Sequence, residues 1–400
     1  MSIDKALNEI KRATAEIIDF EAIEKLLTDY FESGKEYSVK LGLDPTSPDI
    51  HLGHTVILQK MATFQKYGAN IQLIVGDFTA SIGDPTGKSE TRKVLSFEEI
   101  EKNAATYKEQ IFKVLDESKT TVYFNSEWLD KLGSRGMVQL TREYNVARML
   151  ERDDFEKRFK SGQSISISEF LYPLMQGYDS VALKSDIEIG GTDQKFNILM
   201  GRHLQRSYGV GKEQAVLLMP IIEGLDGVQK MSKSLNNYIG VTDAPNDMFA
   251  KIMSISDELM WRYYDLLSSK SIEEIERLKA GVDSGEVHPK KVKEDLAYEI
   301  TARFHSEDDA KAALEAFNKQ FKQNQIPDDI PEFDLEEGIW ICKALVESGI
   351  EPSTSQGRRD IKQGAVRINQ EKIGDEQLKL SKGEYILQVG KRKFAKVKVG

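Results

Sequence analysis

The segment HLGH, residues 51–54, has a spacing that suits the binding of phosphate groups. His51 and His54 lie three residues apart, so a helix that begins near His51 places both imidazoles on one face of its first turn. The free N–H groups and positive dipole of that helix end attract anions, and Gly53 lets a base or a phosphate approach the backbone. Two histidines that merely cap a surface helix are the simpler alternative, which the spacing alone leaves open.

A second segment, GVQKMSKSLNNYIG, carries two lysines on a short polar loop between Gly227 and Gly240. Lys230 and Lys233 can close over a triphosphate and stabilise the charge that moves onto pyrophosphate. A solvated surface loop has a similar composition, so this segment also needs support from the rest of the chain.

The glycine-rich stretch GDFTASIGDPTGKSETR, residues 76–92, ends in GKS but is not a phosphate-binding P-loop. That motif requires glycine at the position of Ile82, and Gly83 is one residue too close to the lysine. The remaining interpretation is a glycine loop that presents Asp84, Lys88 and Arg92.

Three polar residues follow helical spacing in EFLYPLMQGYDSVAL. Tyr172, Gln176 and Asp179 are separated by steps of four and three, which places them on one helix face. A phenol, an amide and a carboxylate are unusual on a face that packs against a sheet. The stripe therefore indicates a binding surface, with a solvated face as the alternative.

The segment IGGTDQKFN combines two glycines with a carboxylate at the end of a predicted strand. Gly190 and Gly191 allow close approach of a ligand to the backbone, and Asp193 is placed to accept hydrogen bonds from ribose hydroxyls. Such a pattern is common in nucleotide-binding folds and is weak by itself.

Five short apolar segments position these residues, and they alternate with helical stretches between Tyr37 and Met219. They are YSVKLGL, NIQLIVG, TTVYFN, SDIEIGG and AVLLMP. This alternation predicts an α/β domain with a Rossmann-like, mostly parallel sheet and helices on both faces. Ligands of such sheets bind beyond the carboxyl ends of the strands, where Asp44, Gly76 and Gly190 lie.

The pattern changes after Asp243 to charged amphipathic helices, which predict a separate helical domain. Residues 326–338 are rich in proline and acid and are predicted to be a linker without secondary structure. Beyond them, two short helices and strands of period two predict a small α+β domain. We therefore expect domains at 1–240, 241–325 and 339–400.

Charge is distributed unevenly along the chain. The whole sequence carries a net charge of −10, whereas residues 353–400 contain 12 basic and 5 acidic side chains. A basic C-terminal domain after an acidic body is typical of a protein that binds nucleic acid through its tail, although basic strands also serve solubility alone.

Composition excludes several other classes. The single cysteine, Cys342, cannot form an internal disulfide, and five histidines leave little for a zinc cluster, so we expect no structural metal. No run of about 18 apolar residues occurs, and the charged N-terminus lacks the apolar centre of a signal peptide. We expect a cytoplasmic protein without a membrane segment.

Taken together and in this order, these motifs resemble those of the class I aminoacyl-tRNA synthetases. HLGH is similar to the first signature of that family, HIGH, and KMSKS matches its second signature without a departure. The DPT before HLGH, the GDPTGK loop, YxxxQxxD and GGTDQ resemble the tyrosyl branch, within which VKLGxDPT marks a bacterial subgroup. The resemblance extends to the tail, which is similar to an RNA-binding domain of a ribosomal small-subunit protein.

The resemblance implies that the amino acid attacks the α-phosphate of ATP and that the aminoacyl group then passes to the terminal adenosine of a tRNA. It implies no protein nucleophile, and Mg²⁺ that arrives with ATP. The catalytic residues implied are Thr46, His51, His54, Lys88, Arg92, Lys230 and Lys233. The ATP-binding residues implied are Asp44, His51, Gly53, His54, Gly191, Asp193, Lys230, Met231, Ser232, Lys233 and Ser234.

The same resemblance implies a tyrosine pocket. Asp84, Tyr172 and Gln176 would surround the α-ammonium group, Asp179 would accept from the phenol hydroxyl, and Gln194 would lie near the reacting carboxylate. One departure concerns Lys40, which stands where the better-known bacterial branch has a tyrosine that contacts the phenol. Lys40 can point at the site from its strand and can pair with Asp179, and its role is open.

Further implications of the resemblance concern partners. The domain at 241–325 would bind the anticodon, the stretch around 125–160 would form a homodimer, and the tail would bind tRNA. The tRNA-binding residues implied are Arg358, Arg359, Lys362, Arg367, Lys391, Arg392 and Lys393.

Three alternatives remain open at this point. A tryptophanyl-tRNA synthetase shares the fold, but that family tends to have PSG where this sequence has LDPT. A small-molecule adenylyltransferase has a similar histidine segment, but it needs neither the helical domain nor the basic tail. A non-catalytic RNA-binding paralogue would retain the tail and lose the site, whereas every motif is intact here.

Overall fold

The computed structural model describes residues 2–45, 49–84, 97–322, 330–369, 371–390 and 393–400. Its chain divides into two compact units, residues 1–314 and 315–400. The predicted residues Thr46, Lys88, Arg92, Lys391 and Arg392 lie outside the described ranges.

A six-stranded sheet forms the centre of the first unit. Its strands are β1 (Glu16–Ile18), β2 (Tyr37–Leu43), β3 (Ala69–Val75), β4 (Thr120–Phe124), β5 (Ile187–Gly191) and β6 (Ala215–Met219), in the spatial order β1-β6-β5-β2-β3-β4. All neighbours are parallel except β1, which pairs antiparallel with β6. The five predicted strands and the mostly parallel sheet are confirmed. The edge strand β1 was not predicted, because three residues are too few to show a period.

The order of the strands reverses between β2 and β5. The chain runs outward from β2 through β3 to β4 and then returns to β5 on the other side of β2. Such a switch point leaves a crevice at the carboxyl ends of the two central strands, where open α/β sheets bind their ligands. The predicted site residues near Asp44 and Gly190 follow these two strands.

Helices connect and cover the strands. In the first part of the chain they are α1 (Ile3–Lys11), α2 (Phe20–Ser33), α3 (Leu52–Lys66), α4 (Asp77–Ala80), α5 (Phe97–Ile111), α6 (Ser126–Arg142), α7 (Val146–Met149), α8 (Asp153–Lys160), α9 (Ile167–Leu183) and α10 (Lys195–Ser207). Helix α3 begins beside His51 as predicted. Helix α9 begins with a capping box, in which Ser166 and Glu169 each accept a hydrogen bond from the other's backbone N–H.

The chain continues through charged helices, as the sequence predicts. They are α11 (Pro245–Ser254), α12 (Asp257–Leu267), α13 (Ile272–Asp283), α14 (Pro289–Phe304) and α15 (Glu307–Lys322). Proline occupies the first position of α11 and α14, where a missing N–H costs no hydrogen bond. Among the described residues, no helix has both the length and the apolar character needed to cross a membrane.

The second unit contains a small mixed sheet with two helices. The elements are β7 (Glu332–Leu335), α16 (Ile341–Glu347), α17 (Thr354–Lys362), β8 (Val366–Ile368), β9 (Glu371–Lys372), β10 (Gly383–Val389) and β11 (Lys393–Val399), and the sheet order is β7-β11-β10-β8-β9. The prediction of a structureless linker over 326–338 is wrong for residues 332–335. That segment pairs parallel with β11 and buries Leu335. Its partner β11 lies too far along the chain for the pairing to be recognised from the local sequence.

Candidate active site

A cavity of about 480 Å³ opens at the carboxyl ends of the central strands. Most of the predicted site residues line it, although they come from five separate segments of the chain. The predicted residues in its wall are Asp44, His51, Gly53, His54, Asp84, Tyr172, Gln176, Asp179, Gly191, Asp193, Gln194, Lys230, Met231, Ser232, Lys233 and Ser234. Among the described residues predicted for catalysis, ATP or tyrosine, Lys40 is the one that is not in this wall.

The two histidines cap the helix on which they lie. His51 is the N-cap of α3, its Nδ1 accepts from the N–H of Gly53 at 3.1 Å, and Nδ1 of His54 accepts from the N–H of His51 at 3.2 Å. Because both Nδ1 atoms accept, the hydrogen of each neutral ring is assigned to Nε2. The ring centroids are 4.0 Å apart. The pair therefore offers two oriented N–H donors.

Burial keeps these imidazoles uncharged near neutral pH. It lowers the pKa of His51 to about 2, assisted by His54 and Lys233, and it lowers the pKa of His54 to about 4, assisted by Lys233. A neutral imidazole whose N–H is already oriented can stabilise developing negative charge by donating a hydrogen bond to it.

The KMSKS loop packs beside the start of helix α3. Lys233 donates from Nζ to the main-chain oxygen of Asp49 at 2.7 Å, and Leu52 N donates to Ile239 O at 2.9 Å. Within the loop, the side-chain oxygen of Asn237 accepts from Ser232 N at 2.8 Å. The loop lysines and the histidines therefore face a common space.

Lys230 and Asp193 interact electrostatically at the glycine-rich end of β5. Burial raises the pKa of Asp193, and the positive charge of Lys230 opposes that increase. Both side chains line the cavity. A carboxylate accompanied by a cation at this edge suits a ligand that has both hydroxyl groups and phosphate charge.

Asp44 and Tyr172 form one side of the cavity. The phenol of Tyr172 donates to Oδ2 of Asp44 at 2.8 Å, and the hydroxyl of Thr79 donates to Oδ1 at 2.8 Å. A Cβ at Gly76 would lie 2.1 Å from Oδ1, so only glycine fits beside this carboxylate. Asp44 was assigned to ATP by resemblance, and the structure also joins it to a residue assigned to tyrosine.

Asp84 lies in a second polar group with Gln194 and Arg152. Gln194 donates to Oδ2 of Asp84 at 2.8 Å, and Nη2 of Arg152 lies 3.4 Å from Oδ1. Arg152 is buried, and its guanidinium also bonds Asp154 at 2.8 Å and Asn197 at 3.1 Å. The sequence analysis did not identify Arg152, because it precedes a surface helix and no motif marks it.

Asp179 is the most buried member of the predicted stripe of Tyr172, Gln176 and Asp179. Its side chain is buried, and Oδ1 accepts from the indole N–H of Trp128 at 2.8 Å. Burial raises the pKa of Asp179 to about 7, against the opposing effects of Lys40, Trp128 and Asn125. Within the described residues, the Oε1 atom of Gln176 on the same helix face is buried without a hydrogen-bond partner.

The role of Lys40 was left open by the sequence, and the structure pairs it with Glu188. The Nζ atom of Lys40 lies 3.0 Å from Oε1 of Glu188, and both side chains are buried. Parallel pairing of β2 with β5 places these two residues side by side. Glu188 lines the cavity and Lys40 lies behind it.

Two other residues near Asp179 were also missed. Asn125 directly follows strand β4, and Trp128 lies in the first turn of helix α6. Both side chains donate hydrogen bonds to Asp179. Their position after the predicted strand TTVYFN was a usable signal, because side chains beyond the carboxyl ends of parallel strands converge.

In the second unit, the described basic residues of the predicted tRNA-binding set lie on α17 and the strands. The guanidinium of Arg358 stacks 4.9 Å from the ring centroid of Trp340, and Lys362 lies 3.4 Å from Glu376. Lys393 pairs with Glu351 at 2.7 Å. Arg359 is exposed at the end of α17, and Arg367 lies on β8.

Among the described residues, no group of three or more histidine, cysteine, aspartate or glutamate side chains could hold a metal ion.

Comparison with known proteins matches the chain to two family models. One, described as tRNA synthetases class I (W and Y), matches residues 32–322, and the other, a tyrosine–tRNA ligase SYY-like C-terminal domain, matches residues 320–397. The tyrosine–tRNA ligase of Sulfurimonas denitrificans is 69% identical over 99% of this chain and 100% of its own length. That of Campylobacter jejuni is 62% identical over 100% of both chains.

Solved structures show the same fold. The tyrosyl-tRNA synthetase of Archaeoglobus fulgidus, solved with L-tyrosine, superposes with a TM-score of 0.61 and 26% identity over 78% of this chain and 100% of that one. A truncated mitochondrial tyrosyl-tRNA synthetase of Aspergillus nidulans gives a TM-score of 0.66 at 20% identity, over 79% and 94% of the two chains, which is a likeness of fold alone.

Proposed function

Since the chain belongs to the family of class I tRNA synthetases for tryptophan and tyrosine, we propose that its cavity activates tyrosine with ATP before transfer to tRNA. Relatives that are 58–69% identical over nearly the whole chain are tyrosine–tRNA ligases. Ligation of tyrosine to tRNA is accordingly the activity of this chain. The proposal concerns how its residues perform that reaction.

In the proposed first step, a carboxylate oxygen of tyrosine attacks the α-phosphorus of ATP, and the bond to pyrophosphate breaks. As the family resemblance implies, the protein is proposed to act by positioning and charge stabilisation, without a covalent intermediate on the protein. The Nε2–H groups of His51 and His54 and the ammonium groups of Lys230 and Lys233 are the donors for the phosphates. Thr46, Lys88 and Arg92 are assigned here by resemblance only.

The nucleoside of ATP is proposed to lie along the glycine-rich end of β5. Gly53 and Gly191 give room for the base and ribose, and Asp193 accepts from the ribose hydroxyls. The remaining loop residues proposed for ATP, which follow from their place in the cavity wall, are Met231, Ser232 and Ser234.

Tyrosine is proposed to lie between the polar stripe of α9 and the end of β2. Asp84, Tyr172 and Gln176 surround the ammonium group, Gln194 lies near the carboxylate, and Asp179 accepts from the phenol. The observation that carries this assignment is the buried carboxylate of Asp179, whose Oδ1 is held by Trp128. Phenylalanine lacks the hydroxyl that would donate to this acceptor, so it would lose that hydrogen bond.

The second step is proposed to involve the basic C-terminal unit as a tRNA-binding surface. Arg359 and Lys362 on α17, with Arg367 on β8 and Lys393 on β11, provide a cluster of positive charge. Phosphate binding rests on such clusters. The helices from α11 to α15 are proposed to contact the anticodon.

A homodimer is proposed through the segment that follows β4. Large apolar side chains are exposed on it or just beyond it, among them Val138, Val146, Phe159 and Ile167. Exposed apolar groups of this size are typical of an interface.

Mg²⁺ bound by ATP is the proposed metal, and the cytoplasm, where tRNA is charged, is the proposed location.

The experiment that tests the proposed activation step is pyrophosphate exchange into ATP, with each of the twenty amino acids offered separately and no tRNA. Exchange with tyrosine alone supports the assignment of the pocket. Preferential exchange with tryptophan would overturn the pocket assignment within the same family, and exchange with no amino acid would overturn the activation chemistry.

A further inference from the structure

A buried ion pair crosses the switch point of the sheet directly behind the proposed phenol pocket. Lys40 of β2 and Glu188 of β5 are neighbours in the parallel register, and their charged atoms are 3.0 Å apart. Lys40 is 0% exposed and Glu188 is 1% exposed. Burying two charges carries a large desolvation cost, so an ion pair in this place is weak evidence for a contribution to stability. A functional role for the pair is therefore considered.

Both partners of this pair are held by hydrogen bonds within the protein. The ammonium group of Lys40 has three acceptors, namely Glu188, the hydroxyl of Ser180 at 2.5 Å and the main-chain oxygen of Gln176 at 3.4 Å. The second oxygen of Glu188 accepts from Ser180 at 3.1 Å and from Gln214. With these bonds made, both groups act on the pocket through their charge and their position.

The group on which they act is Asp179, which immediately precedes Ser180 on helix α9. The charged groups that face Asp179 are Lys40 from β2 and Glu188 from β5, while α6 and the residue before it contribute the uncharged donors Trp128 and Asn125. Burial raises the pKa of Asp179 to about 7, Lys40 lowers it, and Glu188 raises it again. The pair is also hydrogen-bonded to Ser180 and to Gln176 on the helix that carries Asp179, so its opposing charges act on that carboxyl.

We propose that Lys40 and Glu188 form a positioning pair that sets the ionisation of Asp179, and thereby the pH range in which the pocket selects a phenol. The proposal rests on the proposed function of Asp179 as acceptor of the substrate hydroxyl. An ionised Asp179 accepts that hydrogen bond more strongly than a protonated one. Lys40 favours the ionised form, and Glu188 limits that effect and fixes the lysine in place.

Two single variants separate this electrostatic role from a structural one, because they are expected to shift the pH profile in opposite directions. The readout is kcat/KM for tyrosine in pyrophosphate exchange between pH 5.5 and 8.5, which reports ionisations of the free enzyme. Lys40→Met moves the acidic limb to higher pH, and Glu188→Gln moves it to lower pH. The double variant Lys40→Met/Glu188→Gln returns towards the wild-type profile.

The expected size follows from the starting value near 7. A rise of about one pH unit in the midpoint lowers kcat/KM for tyrosine at pH 7 about fivefold and leaves it almost unchanged at pH 8.5, whereas a fall of one unit raises it less than about twofold at pH 7. The KM for ATP stays the same. Lys293→Met removes another buried lysine, on α14, and serves as the control for loss of stability.

A second measurement follows Asp179 without any substrate. The chain has three tryptophans, and Trp128 donates to Asp179, so the resonance of 5-fluorotryptophan at position 128 titrates with that carboxyl. Trp261→Phe and Trp340→Phe identify the signal. Its midpoint is expected to rise in Lys40→Met and to fall in Glu188→Gln.

The two measurements distinguish failure of this inference from failure of the proposed function. If the wild type exchanges pyrophosphate with tyrosine but the variants lower kcat/KM equally at every pH, or the fluorine midpoints do not move, the inference is overturned and the function stands. If the midpoints move in opposite directions and tyrosine exchange is absent in the wild type, the electrostatic coupling stands and the proposed substrate is wrong. If Lys40→Met does not fold, Glu188→Gln and the double variant decide the matter by the same criteria.

Discussion

Lys233 donates a hydrogen bond from Nζ to the main-chain oxygen of Asp49, at 2.7 Å, two residues before the N-cap His51. This bond joins the KMSKS loop to the segment that leads into HLGH. A second contact joins the same two segments, because the backbones of His51 and Gly240, at the far end of the loop, form an antiparallel β-bridge. The lysine is thus held where it could move a short distance onto a phosphate that the histidines are proposed to contact.

Replacing Lys233 by alanine is expected to slow activation more than it weakens tyrosine binding. An ammonium group aimed at charge that develops in the transition state contributes to kcat, and loss of one such donor costs about a hundredfold or more. Pyrophosphate exchange at varied tyrosine and ATP measures kcat and both KM values. Lys35→Ala, at a solvent-exposed lysine, is the control. A rise in the KM for tyrosine at unchanged kcat would contradict the assignment.

Replacing Asp179 by asparagine is expected to lower kcat/KM for tyrosine by roughly ten- to a hundredfold, because a hydrogen bond to a charged acceptor contributes about 1.5–3 kcal/mol. The KM for ATP should not change, since Asp179 is proposed to contact the phenol of tyrosine and not ATP. Phenylalanine cannot use the acceptor, so its weak exchange should fall much less. Equal losses for tyrosine and phenylalanine would show that the variant damages the pocket as a whole.

The sheet and most of the cavity wall could be predicted because their signals are local. Each apolar strand is a continuous run, and the positions after β2 and β5 carry the conspicuous motifs DPT and GGTDQ. Since carboxyl ends of parallel strands converge, motif residues far apart in sequence were expected to meet, and they do. The start of α3 at His51 was predicted from the same kind of local pattern.

The parts that could not be predicted depend on partners distant in sequence. The choice of Glu188 over Asp179 as the partner of Lys40 follows from the register between β2 and β5, which no local pattern specifies. Strand β7 exists because β11 offers it an edge. Arg152 contacts Asp84 because it is buried against Phe155 and Phe196. Its own segment has the sequence of ordinary charged surface, so no local signal marks it.

Acidification is expected to destabilise the fold partly through the two histidines. The pKa of His54 is about 4 in the folded chain and near 6.5 when unfolded, so between these values the unfolded state binds a proton that the folded state does not. Stability is therefore lost as the pH falls below about 6.5. Each such histidine contributes a slope of about 1.4 kcal/mol per pH unit in that window.

The measurement is urea unfolding, followed by circular dichroism from pH 6.5 to 4.5, for the wild type and His54→Gln. The variant should show a shallower loss of stability, because one of the differential proton uptakes is removed. His288→Gln, outside the cavity, controls for the replacement of a histidine. Parallel pH dependences of His54→Gln and the wild type would mean that His54 does not stay neutral through burial.

Two exposed basic residues on α17 are expected to support tRNA charging without affecting activation. The double variant Arg359→Ala/Lys362→Ala is preferable to a truncation at Ser353, since β7 and α16 share the core of the unit that such a cut would break. Each lost phosphate contact should reduce the slope of log affinity against log salt by about one. The variant should therefore bind tRNA more weakly at low salt, with unchanged pyrophosphate exchange.

Lys343→Ala, whose lysine pairs with Glu347 on α16, is the matched control in the same unit. Equal tRNA binding and salt dependence in the double variant and the wild type would remove this helix from the proposed RNA surface.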